Sequence, residues 1–401
     1  MGLIPPSSGA IDVVGDIHGT FDHLNSLLST LGYCHGPDGW THAEGRRLVF
    51  VGDYIDRGPE PVRSVALVRE LCDAGVAFAL LGNHDVNAIQ FSMRRDGRGM
   101  FDPCQAHRDA RAVLDSGVTP AKGWLRSHEG NGRSPKNIHQ HEATLRNSTA
   151  DEYAEIVQWA CRLPAWLELP GIRVVHAAWI PAAMSKLDDW AGKNGLPSLG
   201  IRAASIDHAI AAQRDRSKAP GIAPSPPLWH DLLNLGSIRA ERSLPDSCEA
   251  VALERVLKGV EAELPDGVSY RDVENVDRHA VRVRWFEPAA GRTFAEHALV
   301  RRDVREAIAR DTRGARIGES YEGILPMTPA EAYAADERPV VFGHYGLRRA
   351  DATDRWPTNV ACVDMSAFDA DSGELAAYRW SGERILDPAR LISAFAVQVA
   401  R

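Results

Sequence analysis

The sequence predicts an α/β protein, and three observations predict it. Apolar runs of strand length recur through the first ninety residues, amphipathic stretches of helical period separate them, and the runs end on short blocks of glycine and polar residues. Ile11–Val14 is the first strand, and the helix Phe21–Leu31 follows. Its apolar face is Phe21, Leu24, Leu27, Leu28 and Leu31, closed by Gly32. Leu48–Val51 is the second strand. The next helix opens with Pro59 and Pro61 and runs to about Ala74, where Gly75 stops it. Val76–Leu81 is the third strand. Residues 90–151 are rich in Arg, His, Gly and Asn with weak periodicity, which reads as an inserted segment of helices and loops. Order returns with a helix at Tyr153–Cys161, the apolar stretch Leu163–Leu169 and the strand Ile172–Val175. A second inserted segment covers 181–338, including the Pro/Ser-rich stretch Ala219–Pro227 and a two-faced strand at Ala280–Phe286. Val340–Phe342, Val360–Val363 and Leu375–Trp380 are late strands. The expected organisation is one domain over 1–401, its two inserted segments walling the site and selecting substrate without supplying chemistry.

Composition narrows the class. A chain of 401 residues, 44% of them hydrophobic, can bury a large core. The net charge of -8 argues against a sequence-independent nucleic-acid partner, which needs a basic surface to displace counterions. The six cysteines (34, 72, 104, 161, 248 and 362) are scattered with no CxxC pair, as expected of reduced thiols in the cytoplasm. No segment approaches the roughly 18 apolar residues of a membrane span.

The chemistry lies where strands end. Gly15-Asp16-Ile17-His18-Gly19, Gly52-Asp53-Tyr54-Ile55-Asp56-Arg57-Gly58-Pro59 and Gly82-Asn83-His84-Asp85 follow the first three strands. Val175-His176 and Gly343-His344 come later. Asp16 and His18 can both turn toward one cation, Asp53 is placed to bridge two, and Asn83, His176 and His344 would complete the second site. Mixed oxygen and imidazole donors without thiolate suit Mn²⁺, Fe or Zn²⁺ better than Ca²⁺. Two carboxylates against two divalent ions leave a positive site, fit for a phosphate oxyanion.

At these residues the chain resembles the calcineurin-like metallophosphoesterases, and among them the bacterial type of the phosphoprotein-phosphatase branch, marked by GDxHG, GDxxDRG, GNH[ED] and two later histidine motifs. The resemblance implies a four-layer α/β/β/α sandwich and a binuclear metal-dependent phosphoester hydrolase in which a metal-bridged hydroxide attacks phosphorus. It implies two divalent ions, Mn²⁺ first, with Asp16, His18 and Asp53 on one and Asp53, Asn83, His176 and His344 on the other. His84 would protonate the leaving group, Asp56 would orient His84, and Arg57 would grip two phosphate oxygens. The expected partner is a phosphorylated protein or small molecule, with a serine/threonine or tyrosine phosphomonoester leading. A diadenosine-tetraphosphatase-like or phosphodiesterase activity is the alternative, and an inactive phospho-ligand binder is a third reading. Ala177-Ala178 after His176 and Tyr345-Gly346 after His344 depart from the eukaryotic protein phosphatases and weaken any transfer of substrate.

Other polar residues read as ordinary. Asp85 reads as a helix N-terminal carboxylate. Cys362 and Asp364 read as structural, and Trp159, Trp166 and Trp179 as packing. His23, His35, His107, His128, His139 and His141 read as surface or core histidines. A second phosphate-binding cation could be Arg282, Arg284 or Lys258, each of which reads first as solvated surface.

Overall fold

A computed structural model of the chain describes residues 9–93, 101–117, 135–218, 229, 232–233, 249–271, 277–317, 332–352, 357–369 and 373–395. The Pro/Ser-rich stretch 219–227, His128 and Cys248 lie outside the described residues.

Two mixed sheets form the centre. In the first, Ile11–Val14 pairs in parallel with Arg47–Phe50, which pairs in parallel with Ala77–Ala79. On the other side of Ile11–Val14 the late strand Glu374–Trp380 runs antiparallel, and Asp364–Met365 and Leu391–Ala394 pair with that strand in turn. The second sheet runs Val360–Cys362, Val340–Phe342, Arg173–Val175, Trp166–Glu168, Ile201–Arg202. Helix Phe21–Leu31 packs on the first sheet at Glu374–Trp380 and Leu391–Ala394, and Pro61–Asp73 packs at Ala77–Ala79. Helix Ile206–Lys218 touches both Ala77–Ala79 and Ile201–Arg202, one in each sheet. The arrangement is the predicted α/β/β/α sandwich.

Local physics explains the elements. In Phe21–Leu31 the spacing of Leu24, Leu27, Leu28 and Leu31 buries one face, and Gly32 closes the helix at φ 94, a left-handed position that costs glycine little. The strands Ile11–Val14, Ala77–Ala79 and Val340–Phe342 are buried at every residue, which is why, Asp12 apart, they are apolar throughout. A hairpin, Tyr33–Gly36 with Gly39–His42, was not anticipated.

The described residues of the inserted segments share the core of this frame. Val281, Val283, Trp285, Phe294 and the helix residues Leu253, Val256 and Leu257 join the same buried cluster as the sheets. Trp285 meets the Phe342 ring edge-on at 5.3 Å, and Val256 O accepts from the backbone N–H groups of Ala177 and Ala178. The second segment therefore supports both late histidine loops. The predicted two-faced strand Ala280–Phe286 is a strand only over Ala280–Arg282, and Arg284 and Phe286 are buried instead of facing solvent.

Candidate active site

The motif loops fold onto one another where the strands end. Asp53 O accepts from the N–H groups of Ile17 and His18, and Gly58 N–H donates to His18 O. Gly343 N–H donates to His176 O, joining the two late histidine loops. A Cβ at Gly82 would run into the Asp53 backbone nitrogen and Oδ1, so only glycine lets the two loops approach this closely. Seven described non-glycine residues have positive φ, and five of them are His18, Asp53, Asp56, Arg57 and His344. Backbone strain of about 1–3 kcal/mol each persists where surroundings over-determine it, and here it gathers at one place.

Asp85 does part of that holding. At the start of helix Asn83–Phe91, its carboxylate accepts from Gly82 N–H (2.9 Å) and Asp53 N–H (3.0 Å), with Tyr54 N–H at 3.4 Å. It pins the second and third loops together, more than a bare helix-terminus role.

The buried groups fall into two sets. His18 donates from Nδ1 to Ile55 O (2.9 Å), and His176 from Nδ1 to Val51 O (3.0 Å). Both Nε2 atoms then carry lone pairs, and they face Asp53 oxygens at 3.6 and 3.5 Å. Burial holds both imidazoles below their usual range, helped at His18 by the Arg57 charge, so they are neutral acceptors. His344 Nδ1 lies 2.6 Å from Asn83 Oδ1, and burial and the Arg282 charge lower it too. His176 Nε2 lies 3.0 Å from the same Asn83 oxygen. At His176, therefore, an acceptor faces acceptors. Only a cation in their midst, or an Asn83 amide turned to present its NH₂, makes this arrangement favourable. Histidine and carboxylate atoms converge in two groups, His18 with Asp53 and His84, and Asp53 with His176 and His344. Asp53 belongs to both, the position expected of a bridge.

Asp16 is nearby but turned differently. Its oxygens accept from His344 N–H at 3.2 and 3.1 Å. Burial and the carboxylates of Asp364 and Asp53 push its carboxyl up, a repulsion that a cation would relieve. Asp364 itself binds the N–H groups of Gly346 (2.6 Å) and Ser366 (3.0 Å), in keeping with a structural role. The donor set, two carboxylates, one amide oxygen and three imidazoles, fits two divalent cations of the transition series.

The second set is closed on itself. His84 Nδ1 donates to Asp56 Oδ2 at 2.6 Å, which leaves His84 Nε2 facing the cluster, 4.0 Å from Asp53 Oδ2. His141 Nδ1 reaches the same Asp56 oxygen at 2.9 Å, and Thr144 Oγ1 donates to Asp56 Oδ1 at 2.7 Å. Burial alone would raise the Asp56 carboxyl, but His141 and His84 outweigh it and hold it far below the usual carboxylate range. His141, read as an ordinary histidine, and Thr144, not singled out at all, both come from the first inserted segment. No local pattern announces a contact made across more than eighty residues of chain.

Two arginines border the cluster. Arg57 lies 4.3 Å over the Phe368 ring and donates from Nη1 to His18 Nε2 at 3.0 Å. Arg282 donates from Nη1 to His344 O at 3.3 Å and is half-buried, so of the three candidate cations it is the one at the site. Lys258 pairs with Glu254 (3.1 Å), and the buried Arg284 pairs with Glu287 (3.5 Å).

The chain is similar to several known proteins. The asymmetrical bis(5'-nucleosyl)-tetraphosphatase PrpE of Oceanobacillus iheyensis is 40% identical over 74 residues, 18% of this chain and 30% of that one. Its counterpart in Bacillus subtilis is 39% identical over 75 residues, 19% of this chain and 31% of that one. The chain thus spans less than a third of the length of these curated relatives. Among solved structures, a cold-active protein-tyrosine phosphatase of a psychrophilic Shewanella species aligns over 98% of this chain and 83% of its own, at 14% identity and a TM-score of 0.36. A protein serine/threonine phosphatase of Saccharomyces cerevisiae aligns over 98% and 82%, at 13% identity and a TM-score of 0.36. The family model of the calcineurin-like phosphoesterases matches residues 9–210, half of the chain, and takes in the first three motif loops and His176. The chain belongs to the calcineurin-like phosphoesterase family.

Proposed function

We propose that this site hydrolyses phosphomonoesters, with the phosphorylated side chain of a protein as the leading substrate. Asp16, His18 and Asp53 would hold one cation and Asp53, Asn83, His176 and His344 a second, with Mn²⁺ the best match to the donor set. Bound there, two divalent ions would supply Lewis acidity and a lowered water pKa. Arg57, beside His18, and Arg282, beside His344, would take the non-bridging phosphate oxygens. His84, protonated at Nε2 while Nδ1 donates to Asp56, would give its proton to the departing oxygen.

The observation that carries this reading is the buttressed His84–Asp56 pair. An alkoxide leaving group needs a proton in the transition state, whereas a nucleotide phosphate departs without one. A site that fixes an acid so firmly is built for the harder leaving group.

One observation favours a second reading. Beside Asn83, a cleft between helices Asn83–Phe91 and Glu249–Lys258 is lined by Val86, Leu253 and Leu257 with Asn87 and Gln90. The cleft, at about 40 Å³, would admit only the edge of a nucleoside base, but the relatives named above are tetraphosphatases. A hydrolysis panel with Mn²⁺ separates the two: phosphoserine and phosphotyrosine peptides, diadenosine tetraphosphate and a bis-aryl phosphodiester. Faster turnover of the phosphopeptides supports the monoesterase. Turnover of diadenosine tetraphosphate alone overturns it.

A further inference from the structure

We infer that His141, carried to the site by the first inserted segment, is a positioning residue for the acid: with Thr144 it fixes the Asp56 carboxylate so that Oδ2 meets His84 Nδ1. The inference rests on the proposed reading of His84 as the acid.

Asp56 lies in a left-handed turn at φ 69, where no helix or strand ladder fixes the direction of its side chain. Its orientation must come from contacts. Thr144 gives two of them at once, accepting from Asp56 N–H at 2.8 Å and donating to Oδ1 at 2.7 Å, which ties backbone to carboxylate. His141 gives the third, 2.9 Å from Oδ2 and 3.1 Å from Oδ1. Asp56, His141 and Thr144 are all wholly buried, so water cannot replace a lost donor without opening the structure.

The ring of His141 is fixed in its turn. Its Nε2 has no partner among the described residues, and the Phe91 ring lies edge-on at 5.3 Å. The tautomer with hydrogen on Nδ1 leaves only a lone pair unmet and sends the hydrogen to Asp56. The carboxylate is then gripped between two imidazoles, one on the cluster side and one on the insertion side. Remove His141 and the carboxylate loses a donor on the oxygen that orients His84. The His84 ring then samples directions in which Nε2 no longer points at the departing oxygen. The expected loss is a loss of proton delivery, with binding intact. Thus the first inserted segment supplies part of the chemistry, contrary to the expectation that it only selects substrate.

The test uses the full chain loaded with Mn²⁺ and three variants: His141→Ala, His141→Asn and Thr144→Val. The His141→Asn amide can donate from near the Nδ1 position. Substrates run from p-nitrophenyl phosphate through phenyl phosphate to a phosphoserine peptide. His141→Ala should lower kcat roughly 10–100-fold on the phosphoserine peptide, with KM unchanged and p-nitrophenyl phosphate nearly spared, and His141→Asn should recover most of the loss. Combined with His84→Asn, it should add nothing further, because both act through one proton. In ¹⁵N-histidine spectra the downfield His84 Nδ1 proton should weaken in His141→Ala. If His141→Ala fails to fold, the nearly isosteric Thr144→Val carries the same comparisons. Equal losses across leaving groups, or losses that add to those of His84→Asn, overturn the inference while active wild-type protein upholds the proposed function. Wild-type protein inactive toward every phosphoester overturns both.

Discussion

Two regions of the site, equally buried and a few ångströms apart, keep opposite hydrogen-bond accounts. Around Asp56 every carboxylate contact is a donor meeting an acceptor: His84, His141 and Thr144 all point hydrogens at it. Around Asp53 and Asn83 the His176 Nε2 lone pair points at two acceptors, Asn83 Oδ1 at 3.0 Å and Asp53 Oδ1 at 3.5 Å, and His344 Nε2 has no partner among the described residues. Buried polar groups are otherwise almost always paired. The first region orients a group already present, whereas the second is shaped for a cation.

The largest expected effect comes from removing the shared member of the second region. Asp53→Asn should cost both metal sites and roughly 10⁴-fold or more in rate, since the ions supply several kcal/mol of transition-state stabilisation. Elemental analysis beside the rate checks it, and an Asp53→Asn protein retaining two ions would erase the distinction between the regions. Next comes the closed region. His84→Asn should keep its metals and lose roughly 10²–10⁴-fold, most for serine phosphate and least for p-nitrophenyl phosphate, with Asp56→Asn weaker in the same direction. A uniform loss over that series would mean that His84 is not the acid. Smaller again, Arg57→Ala and Arg282→Ala should each slow all leaving groups alike, by roughly 10–100-fold, the worth of one charged hydrogen bond. A loss confined to poor leaving groups would move either arginine to the acid side.

A further effect lies outside the site and bears on stability alone. His297 is buried with no partner at either nitrogen among the described residues, yet it belongs to neither convergent group. Burial, with Arg292 and Arg284 nearby, lowers it from 6.5 to about 4. Folded protein refuses a proton that the unfolded chain accepts, so this contribution is full above pH 6.5 and is lost as pH falls toward 4, at about 1.4 kcal/mol per unit. Denaturation of His297→Leu across that range should show a shallower dependence on pH, and an unchanged slope would refute the assignment.

What was legible in the sequence follows from the same physics. The strand Val340–Phe342 agrees to the residue because complete burial makes an unbroken apolar run, and Ile11–Val14 agrees although it carries the buried Asp12, which pairs with Arg46. The helix predicted at Tyr153–Cys161 begins earlier, at Ala150, where the Thr149 and Glu152 side chains form a reciprocal cap that the apolar pattern does not mark. The hairpin over Tyr33–His42 went unseen, since its strands are short and largely polar. Motif residues could be named because each sits directly after a strand. His141 and Thr144 could not, because their meaning comes from a partner brought close only by folding. Arg282 stood among three candidates, and the contact with His344 singles it out.

On the proposed reading the donor atoms around Asp53 converge on two cations. A crystal of the Mn²⁺-loaded protein, measured at the manganese edge, tests it most directly. The account predicts two anomalous peaks roughly 3.5–4 Å apart, one contacted by Asp16, His18 and Asp53 and the other by Asp53, Asn83, His176 and His344. A fully active crystal with one peak or none, and the Asn83 amide turned to donate to His176 and His344, would contradict it.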